Sequence, residues 1–284
     1  MLIPVQSAAV PTPERLRVLA GATFAGVYVP KAGLIHQWLF AEASGNVALD
    51  SVGRVDGVLM ASVTRGPEQS TVHITGGNDS FVAFGTDVGQ FGTSDFSVAL
   101  WIKTSEQLRY YDIVGNRTDG SHGVFFCIRM TGRHESLPTG MLCAEVDQNG
   151  TNYVSVQSSR SGLNDGEWHH MAVVRTGGKL TIYVDGKLCG TAQGSAPADI
   201  RNGHDFRLGR SLVGVADRFA PDATYRDLRV YGALNDRQVW EIYRAGAEVT
   251  GRRSFTAADR TIILDALGPN RRMLRQVRDI SRRY

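Results

Sequence analysis

The sequence has little cysteine, little proline and no long apolar run. Its three cysteines, Cys127, Cys143 and Cys189, form no C-x-x-C pair, which excludes a disulfide scaffold and the common zinc-binding spacings. Cys127 and Cys143 fall in neighbouring strand-like runs, "VFFCIRM" and "MLCAEV". One bridge between them stays open beside the ordinary reduced state. No apolar stretch approaches the roughly 20 residues that a membrane-spanning helix needs. In the opening "MLIPVQSAAVPTPERLRVLAG", Arg15 and Arg17 follow the apolar residues and prolines interrupt them. No secretory signal is read there, so synthesis in a cytoplasm is expected. H-x-H and H-E-x-x-H are also missing, which removes the usual metal and metalloprotease patterns from the His169-His170 pair.

Glycine, by contrast, is plentiful: 32 residues against 9 prolines, in a chain that is 42% hydrophobic. That balance implies many tight turns around a sizeable core, and the length suits one large β unit or two ordinary domains. The net charge of +3 is uneven. Residues 251–284 hold nine arginines against Asp259, Asp265 and Asp279, a local +6 that leaves −3 on the rest.

Strand signals dominate the middle. "DFSVALWIKTS" alternates Phe96, Val98, Leu100 and Ile102 with polar or small neighbours, the period of a half-buried strand. "YYDIVGNRTDGSHGVFFCIRM" reads as strand, glycine-rich turn, strand. "HHMAVVRTGGKLTIYVDGKLCGT" reads as three strands reversing at Gly177-Gly178 and Asp185-Gly186, and Asp-Gly suits a two-residue type I′ hairpin. Successive side chains on a strand point to opposite faces, so His169 and His170 are not expected to chelate one ion. Trp168 is expected to plug the end of the core, with one histidine packed inward and the other facing solvent. Near the end, "ALNDRQVWEIYRAG" offers Asn235 as a helix N-cap and Gly246 as a stop. "TAADRTIILDAL" and "NRRMLRQVRDISRRY" are expected to be helical as well, the latter with Met273, Val277 and Ile280 on one face.

The order of these pieces resembles laminin-G-like modules of the concanavalin A-like lectin/glucanase superfamily. In "GLIHQWLFAEASGNVALDSVGRVDGVL" the matching parts are Trp38, Ser44-Gly45, the Asp50-Ser51-Val52-Gly53 turn and the short return Val58-Leu59. "GGNDSFVAF" and "FSVALWIKT" resemble the next strands, and "GEWHHMAVVRTGGKLTIYVDGK" resembles the family's acidic-Trp-His-His segment leading to a D-G hairpin. "FRLGR" and "YRDLRVYGALNDRQVWEIYRAG" resemble the closing strand and final helix. The resemblance implies an all-β, two-sheet antiparallel jelly-roll sandwich over residues 33–246. An extended N-terminal arm, 1–32, and a basic helical C-terminal extension, 247–284, flank it.

The same resemblance frames three functional expectations. Glucanases of the superfamily carry three spaced acids on one strand. Here "AEVDQNG" supplies Glu145 and Asp147, with Asn149 and Gly150 in the places of the last acid. One glutamate cannot be both nucleophile and general acid, so no catalytic residue is assigned and the two acids are read as a solvated strand face. Pentraxin-like members hold calcium on an acidic loop that corresponds to "GNRTDGSHG". Asn116 and Asp119 would be the ligands, with Asn78 and Asp79 as an alternative pair. Arg210 and Arg226 stand where further oxygens would be needed. No cofactor is therefore expected beyond at most a weak Ca2+ site, and the same residues are ordinary turn formers. A lectin reading assigns glycan contacts to Tyr110, Tyr111, Asp119 and His122, although ordinary strand packing also accounts for them.

The leading expectation is a non-enzymatic structural or attachment module of a large assembly, such as a bacteriophage virion decoration, head or tail protein. Such a module would dock through its arms onto capsid or tail subunits and form a homo-oligomer. Arg252, Arg253, Arg271, Arg272, Arg275, Arg278, Arg282 and Arg283 are its candidate contacts. Glycan binding, to a host-surface or extracellular polysaccharide, is the alternative, and glycoside hydrolysis is a distant third. The basic tail lacks interleaved aromatics, so nucleic acid is not an expected partner.

Overall fold

Alternating side chains and glycine-marked reversals produce sixteen strands and one helix among the described residues. The computed structural model describes residues 31–249, apart from 78, 108–109, 118–120, 134–135 and 211–219. The flanks, with the predicted C-terminal helices and the eight candidate arginines, lie outside the described residues.

The first six strands are short: β1 (Leu34–Trp38), β2 (Val47–Ala48), β3 (Gly57–Leu59), β4 (Val63–Arg65), β5 (Val72–Gly77) and β6 (Val82–Ala83). Then come β7 (Phe96–Thr104), β8 (Tyr110–Gly115), β9 (Phe125–Thr131), β10 (Leu142–Asn149) and β11 (Asn152–Gln157). The chain continues through β12 (Trp168–Thr176), β13 (Lys179–Val184), β14 (Lys187–Gln193), β15 (Arg207–Leu208) and β16 (Ala220–Tyr231), and ends in helix α1 (Asp236–Val249). The first sheet runs β14-β13-β12-β7-β16-β5-β4, with β1 also paired to β16. The second runs β11-β10-β9-β8-β15-β6-β3-β2, and every pairing is antiparallel. This is the expected jelly-roll sandwich.

Both reversals in the 168–193 stretch fall where the glycines stand. Thr176 pairs with Lys179 across Gly177-Gly178, and Val184 with Lys187 across Asp185-Gly186. Asp185 and Gly186 both have positive φ, 49° and 73°, as a type I′ turn requires.

The interior between the sheets is apolar: Phe96, Val98, Leu100 and Ile102 of β7 join Phe126, Ile128 and Met130 of β9 and Met171 and Val173 of β12. β7 departs from the half-buried expectation, because Ala99 and Trp101 on its other face are buried too. The cause is α1, whose Val239 and Ile242 cover the outer face of the first sheet over Ala99, Ala172, Val174 and Tyr183. Asn235 caps this helix as expected. Its Oδ1 accepts from the Gln238 backbone N–H at 3.0 Å, and Gln238 Oε1 accepts from the Asn235 N–H at 2.9 Å, a reciprocal capping box. Gly246, however, does not stop the helix, which runs on to Val249. Gly246 lies where α1 crosses Trp101, and a Cβ there would come within 2.3 Å of the indole Nε1.

Two buried ionised side chains pin loops by backbone contacts. Asp50 accepts from the backbone N–H groups of Gln37, Val52, Gly53 and Val55 and from His36. Burial alone would raise its pKa, but these donors together hold it below the usual carboxylate value. Arg175, 1% exposed, donates to the carbonyls of Gly92, Ser94 and Ala198. Burial pushes its pKa down to about 10.

Candidate functional site

The outer face of the second sheet carries a cluster of buried charge. Period-2 alternation on β9 sends Phe126, Ile128 and Met130 into the core and Phe125, Cys127 and Arg129 outward. On β10, Cys143, Glu145 and Asp147 face out in the same way, with Glu145 opposite Cys127 and Cys143 opposite Arg129. Glu145 Oε2 accepts from Arg117 Nη1 at 2.9 Å and from Arg129 Nη2 at 2.7 Å. Arg117 folds over the sheet from the loop after β8, with its guanidinium 4.3 Å from the Phe125 ring centroid and one nitrogen donating to the Ser121 carbonyl. Burial works against the Arg129 charge, yet the carboxylates of Glu145 and Asp112 around it favour the charge and its pKa is raised. Burial also raises the Cys127 thiol and pushes Cys143 up to about 11, so neither is a reactive thiolate at neutral pH.

Beside this cluster lies an exposed aromatic pair. His122, with 45% of its side chain exposed, donates through Nδ1 to the fully buried Asp147 Oδ2 at 2.8 Å. Its ring is 4.8 Å from that of Tyr153, which is 44% exposed. Burial raises the Asp147 pKa against the lowering effect of His122. On β11, Val154 and Val156 turn inward while Tyr153, Ser155 and Gln157 are exposed, each opposite a residue of the charged row on β10: Asp147, Glu145 and Cys143 respectively. Sequence reasoning found His122 and missed Tyr153, although the alternation in "NYVSVQ" carries the signal for this row.

The family model of the concanavalin A-like lectin/glucanases superfamily matches residues 75–257, more than half of the chain. The chain belongs to this superfamily. Strands β1–β4 precede the matched segment but are hydrogen-bonded into the same two sheets. A sequence search of curated proteins gives no match. Among solved structures, the binding domain of botulinum neurotoxin DC in complex with SialylT is similar at 15% identity and a TM-score of 0.56, over 75% of this chain and 51% of that one. The complex of that domain with rat synaptotagmin II has a TM-score of 0.53 at 14% identity, over the same shares. A botulinum neurotoxin type C structure, from a toxin whose cell entry depends on two ganglioside molecules, reaches 0.54 at 16% identity, again over 75% and 51%. The chain thus spans about half the length of these neighbours.

Against the superfamily's glucanases, the two acids are not the solvated strand face expected. Glu145 is 8% exposed and Asp147 fully buried, the first held by two arginines and the second by His122. Two of the four calcium candidates, Asn116 and Asp79, lie among the described residues. Asn116 is fully buried, its Oδ1 accepting from the Phe126 N–H and its Nδ2 directed to Gly89 and Asn202, so it locks loops and offers no open ligand. Asp79 is exposed, and Asn78 and Asp119 lie outside the described residues. Among the described residues no group of three His, Cys, Asp or Glu is arranged to hold a metal.

Of the glycan candidates, Tyr111 is corrected. It is fully buried, with its hydroxyl against Met130 Sδ, because its place on β8 turns it into the core. Tyr110 is half-buried beneath the Arg129 guanidinium, 5.4 Å from the ring centroid. Cys127 and Cys143 are both free. The register makes them diagonal neighbours, separated by up to about 7–8 Å against the ~4 Å between Cβ atoms that a disulfide needs.

The histidine pair is structural on both sides. Neither residue faces solvent: His169 is 4% and His170 1% exposed. His169 reaches Asp185 through Nδ1 at 2.9 Å and Asp165 through Nε2 at 3.2 Å. Two carboxylate acceptors require both N–H groups, hence the imidazolium. Burial opposes that form, but the two aspartates outweigh it and raise the pKa. His170 points the other way, under α1 between Trp101 and Tyr243, where burial drives its pKa down to about 3. Trp168 also lies on this outer face and does not plug the core. It and Trp101 bracket the Arg226 guanidinium at 4.7 and 4.5 Å. A cleft of about 500 Å3 opens nearby, lined by Lys103, Glu106, Gln107, Asp222 and Thr224 among others, and it holds none of the sequence candidates. Among the described residues, no helix is long and apolar enough to cross a membrane.

Proposed function

We propose that this domain is a carbohydrate-binding module without hydrolytic chemistry, and that its recognition face is the outer face of the second sheet around Tyr153 and His122. The observation that carries this reading is the division of labour on that face. Its buried acids are already engaged, Glu145 by two arginines and Asp147 by His122, while the Tyr153 ring and the His122 imidazole stand exposed in front of them. A sugar ring stacks its C–H face on such an aromatic and gives its hydroxyls to neighbouring polar groups. Glu145, clamped by two guanidinium groups, is not placed to donate or accept a proton during hydrolysis. Membership of a superfamily of lectins and glucanases supports the reading, as does likeness in fold to neurotoxin binding domains. The test is a glycan array probed with the full chain and with Tyr153→Ala. Binding that the variant loses supports the proposal, and an array with no retained glycan contradicts it.

A second reading, attachment to neighbouring subunits of an assembly such as a virion, draws on a separate observation. Trp240 on α1 is 43% exposed and Leu188 on β14 is 54% exposed, both on the outer side of the first sheet. Exposed large apolar side chains on one face suit a protein contact. Sedimentation of the full chain at low and high salt tests this reading. Self-association weakened by salt and by Trp240→Ser supports it, and a monomer under every condition counts against a homo-oligomer.

A further inference from the structure

The chemistry of the recognition face selects among sugars, and this inference rests on the carbohydrate-binding reading above. We infer that the ligand is an uncharged oligosaccharide laid along β11, and that acidic sugars such as sialic or uronic acids are disfavoured. The first support is the exposed row itself. Tyr153, Ser155 and Gln157 are all exposed on one face of the strand, and none of them is charged. At about 3.4 Å per residue the row extends about 14 Å, long enough for more than one sugar ring. It offers a stacking surface, then a hydroxyl, then a carboxamide, which together match the C–H face and hydroxyl rim of a neutral pyranose.

The second support is the state of the cations behind that row. A carboxylate ligand is held by a guanidinium or ammonium presented to it, commonly as a bidentate pair. Here Arg117 and Arg129 both donate to Glu145, and His122 to Asp147. The acids on the face outnumber these arginines, since Asp112 stands opposite Arg129 alongside Glu145 and Asp147. An acidic sugar arriving at Tyr153 would meet spent cations and buried carboxylates, and it would lose hydration without gaining a charge partner. A neutral sugar has no such charge to desolvate.

The test pairs each uncharged oligosaccharide with the same oligosaccharide carrying a terminal sialic or uronic acid. The full chain is titrated calorimetrically with both members, next to Tyr153→Ala and Gln157→Arg. The expected result is binding of the neutral member, at least tenfold weaker binding of its acidic partner, and loss of at least tenfold in Tyr153→Ala. Gln157→Arg, which adds an uncommitted cation to the row, is expected to narrow the discrimination. Equal or tighter binding of the acidic member, still lost in Tyr153→Ala, would overturn this inference and leave carbohydrate binding at this face intact. Neutral binding untouched by Tyr153→Ala would overturn the placement on β11. Binding of neither member by any pair would overturn the carbohydrate-binding reading itself.

Discussion

Replacing Glu145 by glutamine keeps the shape of the side chain and removes the carboxylate charge that Arg117 and Arg129 share. The Arg117 side chain is 3% exposed, that of Arg129 12% and that of Glu145 10%, so solvent screens little of the loss. Breaking a buried ion pair by removing one partner costs about 3–5 kcal/mol. For a domain of this size about 2–4 °C of melting temperature accompany each kcal/mol. Glu145→Gln should therefore melt roughly 6–20 °C below the parent chain. The companion is the triple exchange Arg117→Met, Arg129→Met, Glu145→Leu, which removes all three charges at similar volume and should come within about 2 kcal/mol of the parent. Urea denaturation of the three proteins, read by tryptophan fluorescence and far-UV dichroism, supplies both numbers. A Glu145→Gln cost below about 1 kcal/mol, the range of a solvated surface pair, would refute the reasoning. The face would then hold an acid free for other chemistry.

The adjacent histidines should give opposite pH responses. Between pH 6.5 and about 3 the unfolded chain binds a proton at His170 that the folded chain refuses. Stability should thus fall with acid by up to about 1.4 kcal/mol per pH unit, and His170→Phe should flatten that slope in melting curves. The His169 pKa is raised in the folded state, so its contribution is present below pH 6.5 and is lost as pH rises through the folded value. His169→Gln should cost more at pH 6 than at pH 9. Arg175→Met leaves the carbonyls of Gly92, Ser94 and Ala198 without their donor and should destabilise by about 3 kcal/mol or more, measured by chemical denaturation. Gly246→Ala gains helix propensity but drives a methyl into Trp101, and the clash should prevail by about 1–3 kcal/mol, with a shift in tryptophan emission as α1 loosens.

Much of the fold is legible where one side chain decides the local conformation. Asp185-Gly186 announces its turn, Asn235 its cap, and Phe96, Val98, Leu100 and Ile102 their inward face. What escaped sequence reading depends on partners far along the chain. Burial of the second face of β7 requires a helix more than 130 residues later, and Gly246 looks like a stop until Trp101 is seen beneath it. The site was half legible. His122 was nominated, but Glu145 and Asp147 resemble a wet strand face until Arg117 and His122, both from the loop after β8, fold back onto them. Tyr111 and Tyr110 are neighbours in sequence, and strand parity alone sends one into the core and leaves the other beneath Arg129.

The measurement that bears most directly on the account is amide chemical-shift mapping of the full chain, titrated with the uncharged oligosaccharide that binds best on the array. The account predicts saturable shifts concentrated at His122, Tyr153, Ser155 and Gln157, with the imidazole of His122 moving in step. Shifts gathered instead at the Lys103–Gln107 and Asp222–Thr224 cleft, or along α1, would contradict it.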